Sequence, residues 1–222
     1  MISSDKKFIF IHIPKTAGTS VEKHLGHFSV LERGSQDHRT IREIQSIGLS
    51  DSWSVLTKEG PTQLIREIRG SFRYRERINK RDMQHYYKFA FVRNPWARVY
   101  SWYRNVIRDE IHLTNRGIPA NCDFYRFLTE FGWQTELRSQ LAWITDRYGQ
   151  VCMDFIGRFE SLDKDMEKIC EQLSLPFEKL PHLINSSNDD YHESYDARTR
   201  KLVTDRYADE ISFFGYKFED GI

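Results

Sequence analysis

The feature that most constrains the fold is a short apolar run followed at once by a loop rich in hydrogen-bond donors. Residues Phe8–Ile13 read FIFIHI, which predicts a buried strand of a parallel sheet, and Pro14 ends that strand. A helix is predicted to begin at Thr19 and to stop near Gly26. The chain therefore opens with a strand–loop–helix unit, as α/β proteins with open sheets do.

Two further strands are predicted downstream. Tyr87–Val92 is apolar and buried in character, and it precedes a helix that Asn94 can cap and Pro95 can start. Asp154–Phe159 is the third candidate, with Ser161 as the cap of the helix that follows. The alternation predicts a doubly wound, three-layer α/β/α fold in which helices flank a parallel sheet.

Other helices are indicated by caps and by amphipathic spacing. Thr40–Ile47 starts with Thr40 and Glu43 at the spacing of a capping box. Thr62–Ile68 is an amphipathic candidate, and Asp196 is expected to open a final helix that runs to about Tyr207. The seven polar residues at the start of the chain are expected to lead directly into the first strand.

Size and charge limit the possible classes of protein. The 222 residues fit one domain, 1–222. The polar, basic stretch at about 50–84, called the variable segment, is expected to be either a solvated surface insertion or a surface that holds an anionic ligand. Five Trp, eleven Tyr and fifteen Phe supply a sizeable core. The net charge of +1 gives no global field to recruit nucleic acid, so any anion site must be local.

The cysteines and the hydropathy pattern favour a cytoplasmic protein. Cys122, Cys152 and Cys170 show no Cys-x-x-Cys spacing, so we expect packed, reduced thiols rather than disulfides or a zinc site. No apolar run approaches the roughly 20 residues that a membrane span needs, and the first residues resemble neither a signal peptide nor an anchor.

The loop after the first strand has the composition of a phosphate cradle. Backbone N–H groups at the start of a helix attract anions, and Gly18 lets the backbone approach one closely. Lys15 adds a cation, while Thr16, Thr19 and Ser20 add hydroxyls. The predicted anion-binding residues of this loop are Pro14, Lys15, Thr16, Ala17, Gly18, Thr19 and Ser20.

A second anion site is predicted after the second strand. Arg93 ends that strand and Ser101 lies two turns along the next helix. Because the carboxyl ends of parallel strands share one edge of a sheet, Arg93 should emerge beside the loop after the first strand. An arginine fork suits a phosphate, so the two sites together fit a nucleotide with phosphates at both its 5′ and 3′ positions.

These two segments resemble the family of sulfotransferases that use 3′-phosphoadenosine 5′-phosphosulfate (PAPS). The likeness is greatest to the carbohydrate-type branch, which includes heparan 2-O- and chondroitin-type enzymes and small bacterial members. Pro14–Ser20 match that family's loop for the 5′-phosphosulfate, and Arg93, Asn94, Pro95 and Ser101 match its 3′-phosphate motif. The stretches FIGRFESLDKDMEKIC and LPHLINSS and the terminal FGYKF are also similar, whereas about 50–84 is not.

The resemblance implies a P-loop-like sheet flanked by helices. It also implies PAPS as donor, 3′,5′-adenosine bisphosphate (PAP) as product and no requirement for a metal. The acceptor would carry a hydroxyl, with sugar hydroxyls as the default, and a small metabolite, a lipid headgroup or an amine are left open. By the same resemblance, Asn185–Ser187 would form a loop over the nucleotide.

Catalysis by in-line transfer would need a stabilised leaving phosphate and a base for the acceptor. Lys15 is the predicted stabilising residue. His38 is the predicted base, because it precedes a helix N-terminus, which favours the neutral ring, and because the branch often has His-x-Thr in this interval. Glu43 is the reserve base. Glu160 is expected either to orient the site or to form a structural ion pair, and Gln140 and Trp143 either to line the pocket or to pack in the core.

Two other functions are open at the level of sequence. A metal-dependent kinase or NTPase would need a lysine directly after Gly18 and an aspartate that holds magnesium, and neither is evident. A non-catalytic binder of anionic glycans or nucleotides could use the basic stretch 69–81, which is otherwise a solvated surface insertion.

Overall fold

A central four-stranded sheet organises the protein. The computed structural model describes residues 1–28, 36–62, 64–65, 67–68, 78–132, 134–180 and 190–220. In these, β1 (Ile2–Ser3), β2 (Phe8–Ile11), β3 (Tyr87–Val92) and β4 (Phe155–Arg158) lie side by side in chain order. The strands β2, β3 and β4 are parallel, and β1 pairs antiparallel with β2. The predicted parallel sheet is confirmed, with β2 and β4 two residues shorter than expected.

Helices occupy the connections between the strands. In chain order they are α1 (Gly18–His24), α2 (Ile41–Ile44), α3 (Leu49–Glu59), α4 (Lys80–His85), α5 (Pro95–Ile107), α6 (Glu110–Arg116), α7 (Phe124–Arg126), α8 (Leu141–Ile144), α9 (Leu162–Gln172), α10 (Ala197–Arg206) and α11 (Ala208–Phe214). A π-helical turn, Phe127–Phe131, follows α7, and 3₁₀ turns form at Thr135–Leu137, Phe159–Ser161 and Tyr191–Ser194.

Alternate residues of the strands face two separate hydrophobic cores. Phe10 and Phe89, which are partners in the β2–β3 register, pack on one face, together with side chains of α1 and α9. Ile11 and Ala90, also partners, pack on the other face with side chains of α2 and α5. Since a strand points successive side chains to opposite faces, helices cover both sides, and the three-layer α/β/α prediction is confirmed.

Two of the expectations about these elements are wrong for identifiable reasons. The helix expected over Thr40–Ile47 has its capping box but ends at Ile44, because Gln45 forms a parallel bridge with Ile78. The first residues, expected to be a plain lead-in, include the edge strand β1. The helix expected from Asp196 to about Tyr207 is confirmed as α10, and a further helix, α11, follows it directly.

The predicted caps around the sheet differ in outcome. Asn94 caps α5 by accepting hydrogen bonds from the N–H groups of Trp96 and Ala97, with Pro95 in the first turn, as predicted. Ser161 stands at the start of α9 but accepts no capping bond; its hydroxyl donates instead to Asp165. The Asp165 carboxylate also accepts from the Arg158 N–H, so it ties the end of β4 to α9.

The described residues of the variable segment are helical except for Gly60, Ile78 and Asn79. α3 covers its first part, and residues 62, 64, 65, 67 and 68 of the predicted Thr62–Ile68 helix are helical. The stretch 69–77, which holds most of the basic run 69–81, lies outside the described residues. Within the described ranges, no helix combines the length and the apolar character that crossing a bilayer requires.

Candidate anion and nucleotide site

The loop between β2 and α1 has an unusual backbone. Lys15 and Ala17 both have positive φ, at 70° and 65°, although neither is glycine. Such left-handed residues in a loop turn neighbouring N–H groups toward one side, which produces an anion-binding concavity. The Thr16 hydroxyl donates to the Ile13 carbonyl at 2.9 Å, so its proton holds the loop rather than a ligand.

Gly18 is required for a steric reason within the protein itself. A Cβ at this position would lie 2.0 Å from the Cδ2 atom of His12 and 2.3 Å from its Nε2 atom. The imidazole of His12 therefore fills the space that a side chain would need. Thr19 and Ser20 follow in the first turn of α1, and both are buried.

Lys15 is held rather than mobile. Its Nζ atom donates to the Asn105 Oδ1 atom on α5 at 3.3 Å. Burial, with a further contribution from nearby Arg93, lowers the pKa of Lys15 to about 8. Among the described residues Lys15 makes no ion pair with a carboxylate, so its positive charge is uncompensated.

Arg93 emerges at the same edge of the sheet, as predicted. Its Nη1 atom donates to the Lys15 carbonyl at 3.4 Å, and its guanidinium lies 4.0 Å from the ring centroid of Phe159, just beyond β4. Burial lowers the pKa of Arg93 to about 10, against the opposing charge of Glu160. The Nε atom is buried with no hydrogen-bond partner in the described part of the chain.

The backbone at Arg93 is fixed by side chains from distant segments. Gln140 accepts from the Arg93 N–H and donates to its carbonyl, both at 2.8 Å, so it pairs with β3 as another strand would. The buried Glu210 accepts from the Gln140 side-chain amide. Glu160 accepts from the Asn94 N–H at 2.7 Å and from the Tyr216 hydroxyl at 3.0 Å. Gln140 and Glu160 therefore orient the turn that presents Arg93.

One face of α5 is turned toward the loop. Arg98 is fully buried, and its Nε atom donates to the Pro14 carbonyl at 3.0 Å. Asn105 contacts Lys15 two turns later. Ser101, a predicted binding residue, is buried on the same face, one turn from each of them. Polar residues at this spacing in an aromatic-rich helix are the sequence signal that could have identified Arg98 and Asn105.

His38 is joined to the loop through His12: its ring packs against that of His12, which lies beside Gly18. The two ring centroids are 4.1 Å apart, and His38 Nδ1 lies 3.2 Å from the His12 carbonyl oxygen. His38 Nε2 lies 3.0 Å from the Gln36 side-chain amide. The residue is exposed overall, but one face of its ring is packed, and burial of that face, with the neighbouring His12, lowers the pKa of His38 to about 4.

The remaining candidates are separated by their contacts. The Glu43 carboxylate is engaged by Thr40 in the capping box, which removes the main reason to regard it as a base. Trp143 is 3 % exposed and belongs to the core. Its ring lies edge-on to that of His38, with the two ring centroids 6.5 Å apart. The predicted covering loop Asn185–Ser187 lies outside the described residues.

The variable segment exposes apolar surface where its side chains are described. Trp53 is 70 % exposed on α3, and Leu56, Ile65 and Ile68 are also exposed. Exposed large apolar groups often mark contact surfaces. No group of three or more His, Cys, Asp or Glu side chains in the described ranges is arranged to hold a metal ion.

Comparison with known proteins agrees with this arrangement. The model of the sulfotransferase family matches residues 1–217. A curated protein of Archaeoglobus fulgidus, described as an uncharacterized protein, is 33 % identical over 118 residues, which span 52 % of this chain and 90 % of that protein. No solved structure matches the chain. Because the family match covers nearly the whole length of a fold with a cationic loop at its sheet edge, this chain belongs to the sulfotransferase family, whose members transfer sulfuryl groups.

Proposed function

We propose that the protein transfers a sulfuryl group from PAPS to a hydroxyl acceptor. Lys15 stabilises the leaving phosphate, and His38 takes the acceptor's proton. The observation that carries the proposal is that two cationic residues, Lys15 and Arg93, lie next to each other. Two cations meet at the carboxyl edge of the sheet, and neither lies within ion-pair distance of a carboxylate among the described residues, although Glu160 is near enough to oppose the lowering of the Arg93 pKa. Like charges brought together at a partly buried site favour an anionic ligand.

The residues of the site fit a nucleotide with two phosphate groups. The left-handed loop and Lys15 suit the 5′-phosphosulfate, because both offer positive charge to one concave side. Arg93 suits the 3′-phosphate, because its buried Nε is a donor without a partner and its backbone is clamped by Gln140. Ser101 is the proposed second donor to that phosphate. PAPS supplies the activated sulfuryl group when it is bound.

The proposed reaction is an in-line displacement. A bond forms between the acceptor oxygen and sulfur while the bond between sulfur and the bridging phosphate oxygen breaks. The Lys15 ammonium compensates the charge that develops on that oxygen. The acceptor's proton moves to His38 Nε2, since the carbonyl of His12 accepts a hydrogen bond at Nδ1 and so favours the tautomer with a lone pair on Nε2.

The proposed acceptor is a carbohydrate hydroxyl. Support comes from the resemblance to the carbohydrate-type branch, and the proposed acceptor surface is the variable segment with its exposed Trp53. An aromatic ring that projects from a surface provides a rigid apolar face for a ligand.

Calorimetric titration with PAP, and separately with ATP and magnesium, tests the donor site on the wild-type protein and on Arg93→Ala. We expect PAP to bind without magnesium and Arg93→Ala to weaken it by about tenfold to hundredfold, the cost of losing charged hydrogen bonds. Arg126→Ala is the control, because Arg126 pairs with Glu130 on an exposed helix and should leave PAP affinity unchanged.

Magnesium-dependent binding of ATP without binding of PAP would instead favour a kinase. PAP binding without sulfuryl transfer across a broad panel of sugar and small-molecule acceptors would favour a non-catalytic binder.

A further inference from the structure

The side chains behind His38 form a buried cluster that the proposed reaction does not yet use. Glu22, on α1, is fully buried, and its Oε1 atom lies 3.3 Å from the Nδ1 atom of His12. The same oxygen accepts from the Asp37 N–H at 3.2 Å. One carboxylate thus contacts both the histidine that packs against His38 and the residue that precedes His38 in the chain.

We propose that Glu22 and His12 are positioning residues for proton transfer: they fix His38 with its proton on Nδ1, and the Glu22 carboxylate stabilises the positive charge that the imidazole pair gains. The inference rests on the proposed function, in which His38 is the base. Glu22 and His12 touch no substrate in this proposal; they act through His38.

The tautomer follows from the neighbours of the His38 ring. A backbone carbonyl can only accept, so the 3.2 Å contact with the His12 oxygen assigns a proton to His38 Nδ1. The Gln36 Oε1 atom lies 3.0 Å from Nε2; when that side-chain amide is turned over, its NH₂ group faces the ring and donates to Nε2, which then accepts. An acceptor hydroxyl that displaces Gln36 could then donate its proton to the lone pair on His38 Nε2.

His12 connects this base to the donor loop. One edge of its ring occupies the space beside Gly18, and the ring packs at a tilt of 51° against His38, with the two ring centroids 4.1 Å apart. A shift of His12 would therefore move the base relative to the loop that binds the phosphosulfate. This contact fixes the position of the proton acceptor relative to the leaving group, as in-line transfer requires.

Glu22 is the carboxylate best placed to compensate an imidazolium. The titratable groups that face His38 are His12, Glu22 and Asp37. The Asp37 charge is already paired with Arg39, at 2.5 Å, and with the Met1 amino group, at 2.8 Å. Glu22 makes no ion pair with a lysine or arginine in the described residues. Burial would raise the pKa of Glu22, but the hydrogen bond and charge of His12 lead the effects that hold it below its usual value, so the carboxylate stays ionised.

Nitrogen-15 NMR of histidine-labelled protein tests the proposal without knowledge of the acceptor. In the wild-type protein, with His38→Gln to assign the signal, we expect neutral His38 to carry its proton on Nδ1. In Glu22→Gln, which keeps the shape of the side chain and removes its charge, the titration midpoint of His38 should fall by about one pH unit or more. Glu43→Gln is the matched control, because Glu43 caps α2 without contacting either ring, and its midpoint should equal that of the wild type.

Two results would overturn the inference: a proton on His38 Nε2 in the wild type, or a Glu22→Gln titration that matches the wild type. If Glu22→Gln fails to fold by circular dichroism, the wild-type tautomer still decides. Failure of the proposed function is separate, since it would show as absent PAP binding in the calorimetry. Normal PAP binding with an unshifted histidine titration would reject the positioning role alone.

Discussion

Lys15 shows how one buried charge can make ligand binding depend on pH. Its pKa of about 8, lowered by burial and then by Arg93, places its loss of charge close to neutral pH. An anion bound beside Lys15 stabilises the ammonium and raises that pKa again. Binding must therefore take up protons at pH values just above 8, and affinity must fall as the pH rises through this range.

We predict that PAP affinity falls by up to about tenfold per pH unit above pH 8, because each unit removes that share of the charged lysine. Calorimetry at pH 8.5 in two buffers of different ionisation enthalpy should show proton uptake for the wild-type protein. Lys15→Met should bind more weakly at pH 7 and show no uptake from this group. Equal uptake in both proteins would mean that another residue is responsible.

At the scale of elements, α5 is the part that joins the donor loop to the rest of the protein. The Arg98 guanidinium donates to the carbonyls of Pro14, Glu136 and Arg138, so one side chain ties α5 to two other backbone segments, the loop before α1 and the turn at 136–138. Because each carbonyl is approached by the same buried donor, its removal leaves several acceptors without a partner. The loop before α1 would lose its link to α5.

Arg98→Met should therefore lower the free energy of unfolding by about 3 kcal/mol or more, since each buried acceptor left unpaired costs about 1–3 kcal/mol. PAP affinity should fall as well, although Arg98 is not proposed to touch the ligand. Urea denaturation and PAP calorimetry measure the two effects. Arg126→Met, on an exposed helix, should leave the unfolding midpoint unchanged; an equal loss in both variants would contradict the anchoring role.

At this scale, sequence predicts an element when the element depends on residues that are close in the chain, and fails when it depends on distant ones. The β2 strand, its loop and the Asn94 cap of α5 depend on near neighbours in the chain, and all three are present. The early end of α2 depends on a bridge to Ile78, and the roles of Gln140 and Arg98 depend on contacts 47 and 84 residues away. Such contacts leave no local pattern, because the partner's position is set only when the sheet forms.

At the scale of the whole molecule, the two hydrophobic cores share the same strands. Phe89 faces one core and Ala90 the other, so neither core can open without disrupting β3. The proposed donor site is built on the carboxyl ends of these strands, with residues from β2, β3 and α5. Folding of the sheet and formation of the site are therefore one event, which is also what the single-domain expectation for 1–222 requires.

We accordingly predict one calorimetric unfolding transition for the whole chain, and we predict that PAP moves all of it upward. At a ligand concentration of a hundred times Kd, binding adds about 2.7 kcal/mol, which corresponds to a Tm increase of about 5–10 °C for a domain of this size. Arg93→Ala should unfold in a single transition that PAP shifts less at the same concentration. Two separate transitions, or a shift confined to part of the heat absorption, would show that the segment around 50–84 or another region folds independently of the sheet.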